Sequence, residues 1–319
     1  MQCRICGSRE GHREYDAREM MFGIRDLHRY FQCADCGCLQ IANIPQQPEK
    51  YYRSDYYSFL PPKETGLTAW LLNERRRYSV LRKGFVGKLL MRAKPLPHFD
   101  FLQTFKPFFN SESRILDVGC GSGHILRALR ASGFQHARGV DPYIAKDIKV
   151  NGVPLIVRAH LNEVTETFDI ILFNHSLEHM AEQLASLRHA LRLLTLDGIC
   201  AVRIPLVSSK AWENYGVNWV QLDAPRHLFL HSRASFERLS TAAGFQIISV
   251  DYDSTAFQFW GSEQYCRDVP LMDPKSYAVH PGESSFTSAQ IRTFEAEAAR
   301  LNAMQLGDQA TFLLRRVVH

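Results

Sequence analysis

The run R-I-L-D-V-G-C-G-S-G (114–123) narrows the possible folds more than any other stretch of this 319-residue chain. A short apolar strand runs into Gly119, Gly121 and Gly123, and the amphipathic I-L-R-A-L-R-A-S-G (125–133) follows at once. Glycines at every second position permit a tight turn with bare backbone, and Gly133 is a helix-stop signal. The unit therefore reads as strand, nucleotide-holding loop and helix. Further apolar runs occupy 137–142, 153–159, 168–174 and 199–205, near-continuous as in a parallel sheet buried on both faces. Between them, Leu184, Leu187, Leu191 and Leu194 recur at helical period within 181–194, and 233–245 repeats the pattern before a strand at 246–252. A last strand at 311–317 follows a weakly patterned stretch. Alternating strands and helices predict an α/β, doubly wound, Rossmann-like domain.

The dinucleotide fingerprint needs a glycine at position 124, and this chain has His124. The pattern is instead D-x-G-x-G-x-G after a strand, with Asp117 in the strand end and G-V-D-P closing the next strand at Asp141. On these residues the chain resembles the class I S-adenosylmethionine-dependent methyltransferases over roughly 111–255 plus the final strand. The resemblance implies a seven-stranded sheet. It also implies that Asp117, Gly119, Gly121, Gly123, Asp141 and Asn174 hold the cofactor, the glycines leaving no Cβ in its way. Asp141 corresponds to the acid that accepts hydrogen bonds from both ribose hydroxyls, a task suited to a carboxylate's paired acceptors. His160 and Leu161 are candidates for the adenine side.

Methyl transfer from a sulfonium needs in-line placement above all, and a hydroxyl acceptor adds the need for a general base. F-D-I-I-L-F-N-H-S-L-E-H-M (168–180) puts Asn174, His175, Ser176, Glu178 and His179 past a strand's carboxyl end, where open α/β sheets bind ligands. The segment 206–232 adds Trp212, Tyr215 and Trp219 as walls for an acceptor, and P-R-H-L-F-L-H-S offers Arg226 and His227 to touch it. His179, His227 and His175 are the candidate catalytic bases. Each has a plainer reading, a hydrogen bond that caps a helix or pins a loop. Two histidines and a glutamate would suit a metal, but nothing in the sequence fixes three ligands, so none is expected there. The chain has N-H-S-L where base-amine methyltransferases carry N-P-P-Y/F, which counts against an exocyclic nucleobase amine.

Five of the eight cysteines fall in the first 38 residues, as C-R-I-C-G and C-A-D-C-G-C. Two C-x2-C knuckles are the arrangement of a tetrahedral S4 site, so Cys3, Cys6, Cys33 and Cys36 are expected to hold a structural Zn2+, with Cys38 spare. A β-hairpin containing R-Y-F-Q would span the gap between knuckles. A closed S4 site leaves no open coordination position and predicts no catalysis. Cys120, Cys200 and Cys266 read as buried, inert thiols.

The net charge of +5 is uneven: residues 1–110 carry 18 Lys and Arg against 11 Asp and Glu, and the remainder 20 against 22. The densest basic stretch, 75–94, suits nucleic acid, a membrane surface or a polyanionic glycan, or simply a solvated helix face. A chain that is 45% hydrophobic and 22% charged has the balance of a globular protein. It shows no apolar span of about 18 residues and no secretory h-region, so a cytoplasmic protein is expected. The organisation reads as a zinc ribbon at 1–45, a linker and helical lid at 46–110, with aromatic Y-Y-R-S-D-Y-Y-S-F-L-P-P at 51–62, a core at 111–255, and an extension at 256–319. Ribbon, Y-Y linker and P-R-H-L together resemble bacterial methyltransferases of sugar and polysaccharide pathways, some of them sugar C-methyltransferases. That resemblance implies O- or C-methylation of a sugar or other small metabolite, in glycan or secondary-metabolite biosynthesis. The alternatives are an RNA methyltransferase gripping its acceptor with the ribbon and 75–94, and a non-catalytic cofactor-binding scaffold.

Overall fold

The computed structural model describes residues 1–52, 66–93, 97–150 and 152–317. It begins with the expected hairpin, β1 (Arg13–Arg18) against β2 (Leu27–Gln32), and β3 (Leu39–Ile41) pairs antiparallel with β2. Most of the aromatic linker falls outside the described residues. Two helices follow, α1 (Gly66–Leu81) and α2 (Phe85–Ala93). Gly87 lies in α2 because a Cβ there would sit 2.3 Å from the Glu74 carbonyl oxygen of α1, so the two helices approach through it. Of the basic stretch, Arg76 is buried while Arg77, Arg82, Lys83, Lys88 and Arg92 stay exposed.

The core then unfolds as β4 (Ile115–Val118), α3 (His124–Ala131), β5 (Ala137–Val140), β6 (Ile148–Val150), β7 (Val153–Val157) and β8 (Phe168–Asn174). Next come α4 (Gln183–Leu193), β9 (Leu194–Pro205), α5 (Lys210–Tyr215), the two-residue β10 (Phe229–Leu230), α6 (Arg233–Ala242) and β11 (Phe245–Tyr252). α7 (Phe257–Cys266), α8 (Ser288–Ala303) and β12 (Gln309–Arg316) complete it. The large sheet has the order β11-β12-β9-β8-β4-β5-β7-β6. β7, β5, β4, β8 and β9 run parallel, and β12 is antiparallel between β9 and β11. Seven strands were expected and eight are present; the additional one, β6, is a short antiparallel edge strand on β7.

One face of the sheet is covered by α4 and α6 through Leu187, Leu193, Phe236 and Leu239, the other by α3 and 99–105 through Leu126, Leu129, Phe101 and Phe105. Two departures from the sequence pattern have local causes. β9 starts at Leu194 rather than 199, where β8 is already extended and the pairing bulges between Phe168 and Ile170. The weakly patterned 256–310 contains two helices. α7 turns Gln258, Ser262 and Gln264 inward with Phe259 and Tyr265, which breaks the apolar period, while α8 starts with a Thr287/Gln290 capping box.

The N-terminal sheet does not close on its own residues. β10, from beyond β9, is its fourth strand, paired antiparallel with β3. Its core joins Tyr30, Phe31, Leu39 and Ile41 to Trp212, Trp219, Leu222 and Phe229. The segment 1–45 and the insertion 206–232 thus share one hydrophobic cluster. Among the described residues no helix is long and apolar enough to cross a membrane.

Candidate functional site

The glycine loop lies where the sequence put it, between β4 and α3 at the carboxyl edge of the sheet. Gly119, Gly121 and Gly123 all have positive φ, at 71°, 52° and 79°, conformations that L side chains rarely adopt. Packing within the chain adds a second requirement: a Cβ on Gly119 would lie 2.6 Å from Ser176 Cβ, and one on Gly123 2.6 Å from Ile156 Cδ1. Here glycine is demanded by close approach of neighbouring protein as well as by backbone conformation.

Asp141 stands at the end of β5 and is buried. The Gly121 N–H donates to its Oδ2 at 2.8 Å and the Tyr143 N–H to its Oδ1 at 2.8 Å. A carboxylate has about four lone-pair directions, so each oxygen keeps one for a further donor. Asp117 is buried below it, and burial first, then the nearby Asp141 charge, pushes its carboxyl up to about 7. Asn174 ends β8, its Oδ1 accepting from Arg203 Nη1 at 3.3 Å. Asp117, Gly119, Gly121, Gly123, Asp141 and Asn174 therefore all lie at or beside the carboxyl ends of β4, β5 and β8. His160 opens a 3-10 turn at Leu161–Glu163 after β7.

The residues after β8 form a second 3-10 turn, Leu177–His179. It abuts the glycine loop: Ser176 donates through Oγ to the Val118 carbonyl at 2.7 Å. Glu178 is fully buried, with His175 Nδ1 3.3 Å and His227 Nε2 3.9 Å from Oε1, while Oε2 has no partner among the described residues. Burial opposes its charge, but the His175 hydrogen bond and the three neighbouring imidazoles win and bring it down to about 2. The His179 and His227 rings meet edge-on, with centroids 4.7 Å apart. His179 Nδ1 lies 2.9 Å from the Arg226 carbonyl oxygen, and His227 Nδ1 2.7 Å from that of Gln221. A carbonyl only accepts, so both rings donate from Nδ1. Burial, then His227, holds His179 down at about 4, neutral at pH 7. The Tyr52 hydroxyl, 3.1 Å from His179 Nδ1, covers this group. His175 is more open than His227, its side chain 26% exposed against 9%, and sits at φ 49°.

Two expectations about 206–232 are corrected. Arg226 does not reach out to an acceptor. Its guanidinium is buried, donating to Asp223 Oδ1 and Oδ2, to Glu19 Oε1 at 3.0 Å and to the Tyr51 carbonyl at 3.2 Å. Trp212, Tyr215 and Trp219 do not wall an acceptor pocket either. Trp219 is buried and donates to Asp308 Oδ2, Trp212 packs between Tyr15 and Trp219, and the Tyr215 hydroxyl donates to Glu263. They fill the joint between the small sheet and the core, because large aromatics after a strand end serve a protein surface as readily as a ligand. Cys266, expected buried, is exposed, whereas Cys200 is buried and Cys120 half-buried.

Sequence reasoning passed over four residues that build the site: Glu19, Tyr52, Gln183 and His231. Gln183 Nε2 donates to the Leu177 carbonyl at 2.7 Å, and its Oε1 is 2.9 Å from His231 Nε2. Ser235 Oγ is 2.9 Å from His231 Nδ1. Burial holds His231 down at about 3, so the neutral ring donates through Nε2 to Gln183, and the chain of bonds ends on the 177–179 turn.

Cys3, Cys6, Cys33 and Cys36 come together with all four Sγ atoms within 4.8 Å of one another, and Cys38 is not among them. The Cys3–Cys36 and Cys6–Cys33 Sγ separations are 3.6 and 3.5 Å, too long for disulfides. Sulfurs about 2.3 Å from one ion in a tetrahedron lie about 3.8 Å apart, so the cluster fits Zn2+. The Ile5 N–H and Gln40 Nε2 both donate to Cys3 Sγ, at 3.4 and 2.9 Å, as suits a thiolate. A shallow depression of about 360 Å³ beside this cluster, lined by Gly11, Arg13 and Gln32 among others, holds none of the residues around the glycine loop.

Residues 91–250, half of the chain, match the family model described as a methyltransferase domain. Among curated relatives, the ribosomal protein L11 methyltransferase of Thermotoga neapolitana is 28% identical over 117 residues. That match spans 33% of this chain and 44% of the relative, less than half its length. Among solved structures, a SAM-dependent methyltransferase from Archaeoglobus fulgidus aligns at 14% identity over 73% of this chain and 100% of its own, with a TM-score of 0.43. The 1,6-didemethyltoxoflavin-N1-methyltransferase of Burkholderia thailandensis aligns at 12% identity over 90% and 97%, with a TM-score of 0.44. Similarity at this level leaves the assignment to the domain match.

Proposed function

The chain belongs to the methyltransferase-domain family, and from that premise we propose that it is an S-adenosylmethionine-dependent enzyme methylating a sugar or similar small polar metabolite. The observation that carries this reading is the cluster of buried Glu178 and His227 with half-buried His179 beside the glycine loop. Gly119, Gly121 and Gly123 with Asp141 would hold the donor, with Asp117 and Asn174 at its flank. The cofactor supplies an electrophilic methyl on a sulfonium, and the chain supplies placement and a base. With Nδ1 of His179 and His227 committed to carbonyls, their Nε2 edges are where a proton from a sugar hydroxyl or an acidic carbon would be taken, and His175 bonds Glu178 behind them. Glu178 and His227 lie buried, with Tyr52 against His179, and this suits a compact acceptor better than a polymer. Zn2+ bound by Cys3, Cys6, Cys33 and Cys36 would serve structure alone. The L11 relative's acceptor is not carried over, since a third of the chain is matched.

The test is transfer of labelled methyl from S-adenosylmethionine into fractionated cell extract and into a panel of nucleotide sugars. Label in the small, polar fraction is expected, with His179→Ala and His227→Ala each lowering turnover while cofactor binding persists. Wild-type rates in both variants would remove the bases from this scheme. The exposed Arg77, Lys83, Lys88 and Arg92 motivate the RNA alternative. Binding of total RNA that weakens log-linearly with salt, alongside rejection of nucleotide sugars, would replace the small-acceptor reading with that one. Cofactor binding with no labelled product from any pool would point to a scaffold.

A further inference from the structure

We propose that Glu178, His179 and His227 form a binding site for a divalent transition-metal ion, with two imidazole nitrogens and one carboxylate as its protein ligands. One ligand atom from each lies within 4.8 Å of the other two, in a buried setting. The third ligand was not legible in the sequence because His227 arrives from another segment, through β9, α5 and the insertion.

The electrostatics of the group ask for a cation. The Gln221 carbonyl takes the Nδ1 proton of His227, and the Arg226 carbonyl takes that of His179. What remains is the Nε2 edge of each ring beside the Glu178 carboxyl, with Glu178 and His227 buried and His179 half-buried. Glu178 Oε2 is fully buried and receives no hydrogen bond from any described residue, a condition costly for a charged oxygen. A proton shared between His227 and Glu178 is the simplest alternative. Their 3.9 Å separation is too long for an N–H···O bond, which spans about 2.7–3.2 Å. Two ligands about 2.0–2.2 Å from a common ion sit about 3–4 Å apart, so the same separation suits a metal. The surroundings are also those of a ligand set: both rings are oriented by carbonyls on Nδ1, and His175 supports the carboxylate from behind. Asp223, with Oδ2 3.9 Å from His227 Nε2, adds negative charge near the site, partly neutralised by Arg226.

Two imidazoles and one carboxylate favour first-row ions such as Fe2+, Co2+ or Zn2+ over Mg2+, and leave coordination positions open. Such an ion would bind an acceptor hydroxyl and lower its pKa beside the methyl donor, taking over the activating role from the ring nitrogens that then ligate it; the inference rests on the function proposed above and changes only the group that activates the acceptor. Binding itself requires no acceptor, so the two claims fail separately.

The experiment uses the full chain with Zn2+ in the cysteine cluster, titrated with Co2+ and followed by visible absorption and metal analysis. One further equivalent of Co2+ per chain is expected, with ligand-field bands and no thiolate-to-cobalt charge transfer. Glu178→Gln and His227→Ala should each weaken that equivalent at least a hundredfold while cysteine-bound zinc stays at one per chain, which also reports that the variants are folded. Absence of a second equivalent in the wild-type protein would overturn the site. So would a second equivalent bearing thiolate bands, or one that survives either substitution.

Discussion

Replacing Arg226 by Met should be among the most damaging single substitutions in this chain. The guanidinium is buried between two carboxylates and bonds Asp223 through Nε, at 3.1 and 2.9 Å, and Glu19 through Nη2 at 3.0 Å. The Arg226 and Glu19 side chains are both 0% exposed and Asp223 is 9% exposed, so water cannot take over the lost contacts. The carboxylates differ in what they keep. Glu19 retains the Phe22 and Ile24 N–H donors at 3.0 and 2.9 Å. Asp223 is pushed up by burial and held below its ordinary value by Arg226, so without Arg226 burial prevails. Removing one partner of a buried pair costs about 3–5 kcal/mol, and Arg226→Met should fall in that range. Glu19→Gln, which leaves the Asp223 pair intact, should lose about 1.5–3 kcal/mol, the worth of one charge-assisted bond. The double variant should lose less than the sum, because Glu19 has no cation left to miss. Urea unfolding followed by far-ultraviolet circular dichroism and tryptophan fluorescence measures all three. A loss below about 1 kcal/mol for Arg226→Met, or strict additivity in the cycle, would refute the idea that a buried cation ties these segments together.

If Asp141 accepts from the two ribose hydroxyls as proposed, Asp141→Ala, which also frees the Gly121 N–H, should weaken S-adenosylmethionine about a hundredfold by calorimetry, at roughly 1.5–3 kcal/mol per charge-assisted bond; unchanged affinity would overturn its assignment. His231 titrates near 3 in the folded chain and near 6.5 when unfolded, because burial penalises its charged form. Its contribution is complete above pH 6.5 and declines as pH falls towards 3, since only the unfolded chain takes up the proton, a loss on the order of 4 kcal/mol. His231→Gln should flatten that part of the stability–pH curve, and a curve parallel to wild type would show the ring to be charged or exposed. Cys33→Ser should release zinc, as metal analysis will report, and lower the unfolding temperature; zinc retained at one per chain would remove Cys33 from the ligand set.

The donor half of the site was legible because its determinants are local. Gly119 to Gly123, Asp117 and Asp141 each close a strand or open a helix, and the position of a strand end follows from the apolar pattern. The cysteine cluster was legible for a related reason, since C-x2-C spacing already turns two thiols to one side. The acceptor half depends on which loops meet above the sheet, and no period in the sequence encodes that. Glu178 and His227 were both visible as candidates, but not their 3.9 Å separation. Arg226 read as an acceptor contact because Glu19, its partner, sits more than two hundred residues earlier. Strand β10 was hidden for want of length: Phe229 and Leu230 are too few to show alternation, and only pairing with Gln40 and Leu39 makes them a strand.

That short strand ties the small sheet to the turn proposed to face the acceptor. The Tyr30 hydroxyl of β2 donates to the His227 carbonyl at 2.8 Å, and the Ile41 N–H at the end of β3 donates to the Leu228 carbonyl at 3.0 Å. The Leu228 N–H in turn donates to the Glu178 carbonyl at 2.8 Å. Main-chain bonds therefore run from the cysteine-bearing sheet through residues 227 and 228 to the turn that carries Glu178 and His179. Ser232 Oγ adds a bond to the Cys36 carbonyl, beside the cluster itself. The glycine loop and Asp141 belong to the large sheet and receive none of these bonds. Loosening the small sheet, as Cys33→Ser should, is thus expected to displace His227 from His179 and Glu178 while the donor loop keeps its shape. The kinetic signature is a fall in kcat with cofactor affinity held near wild type. An equal loss in both would mean that the two sheets stand or fall as one cooperative unit, and that zinc supports the whole fold rather than the placement of the acceptor.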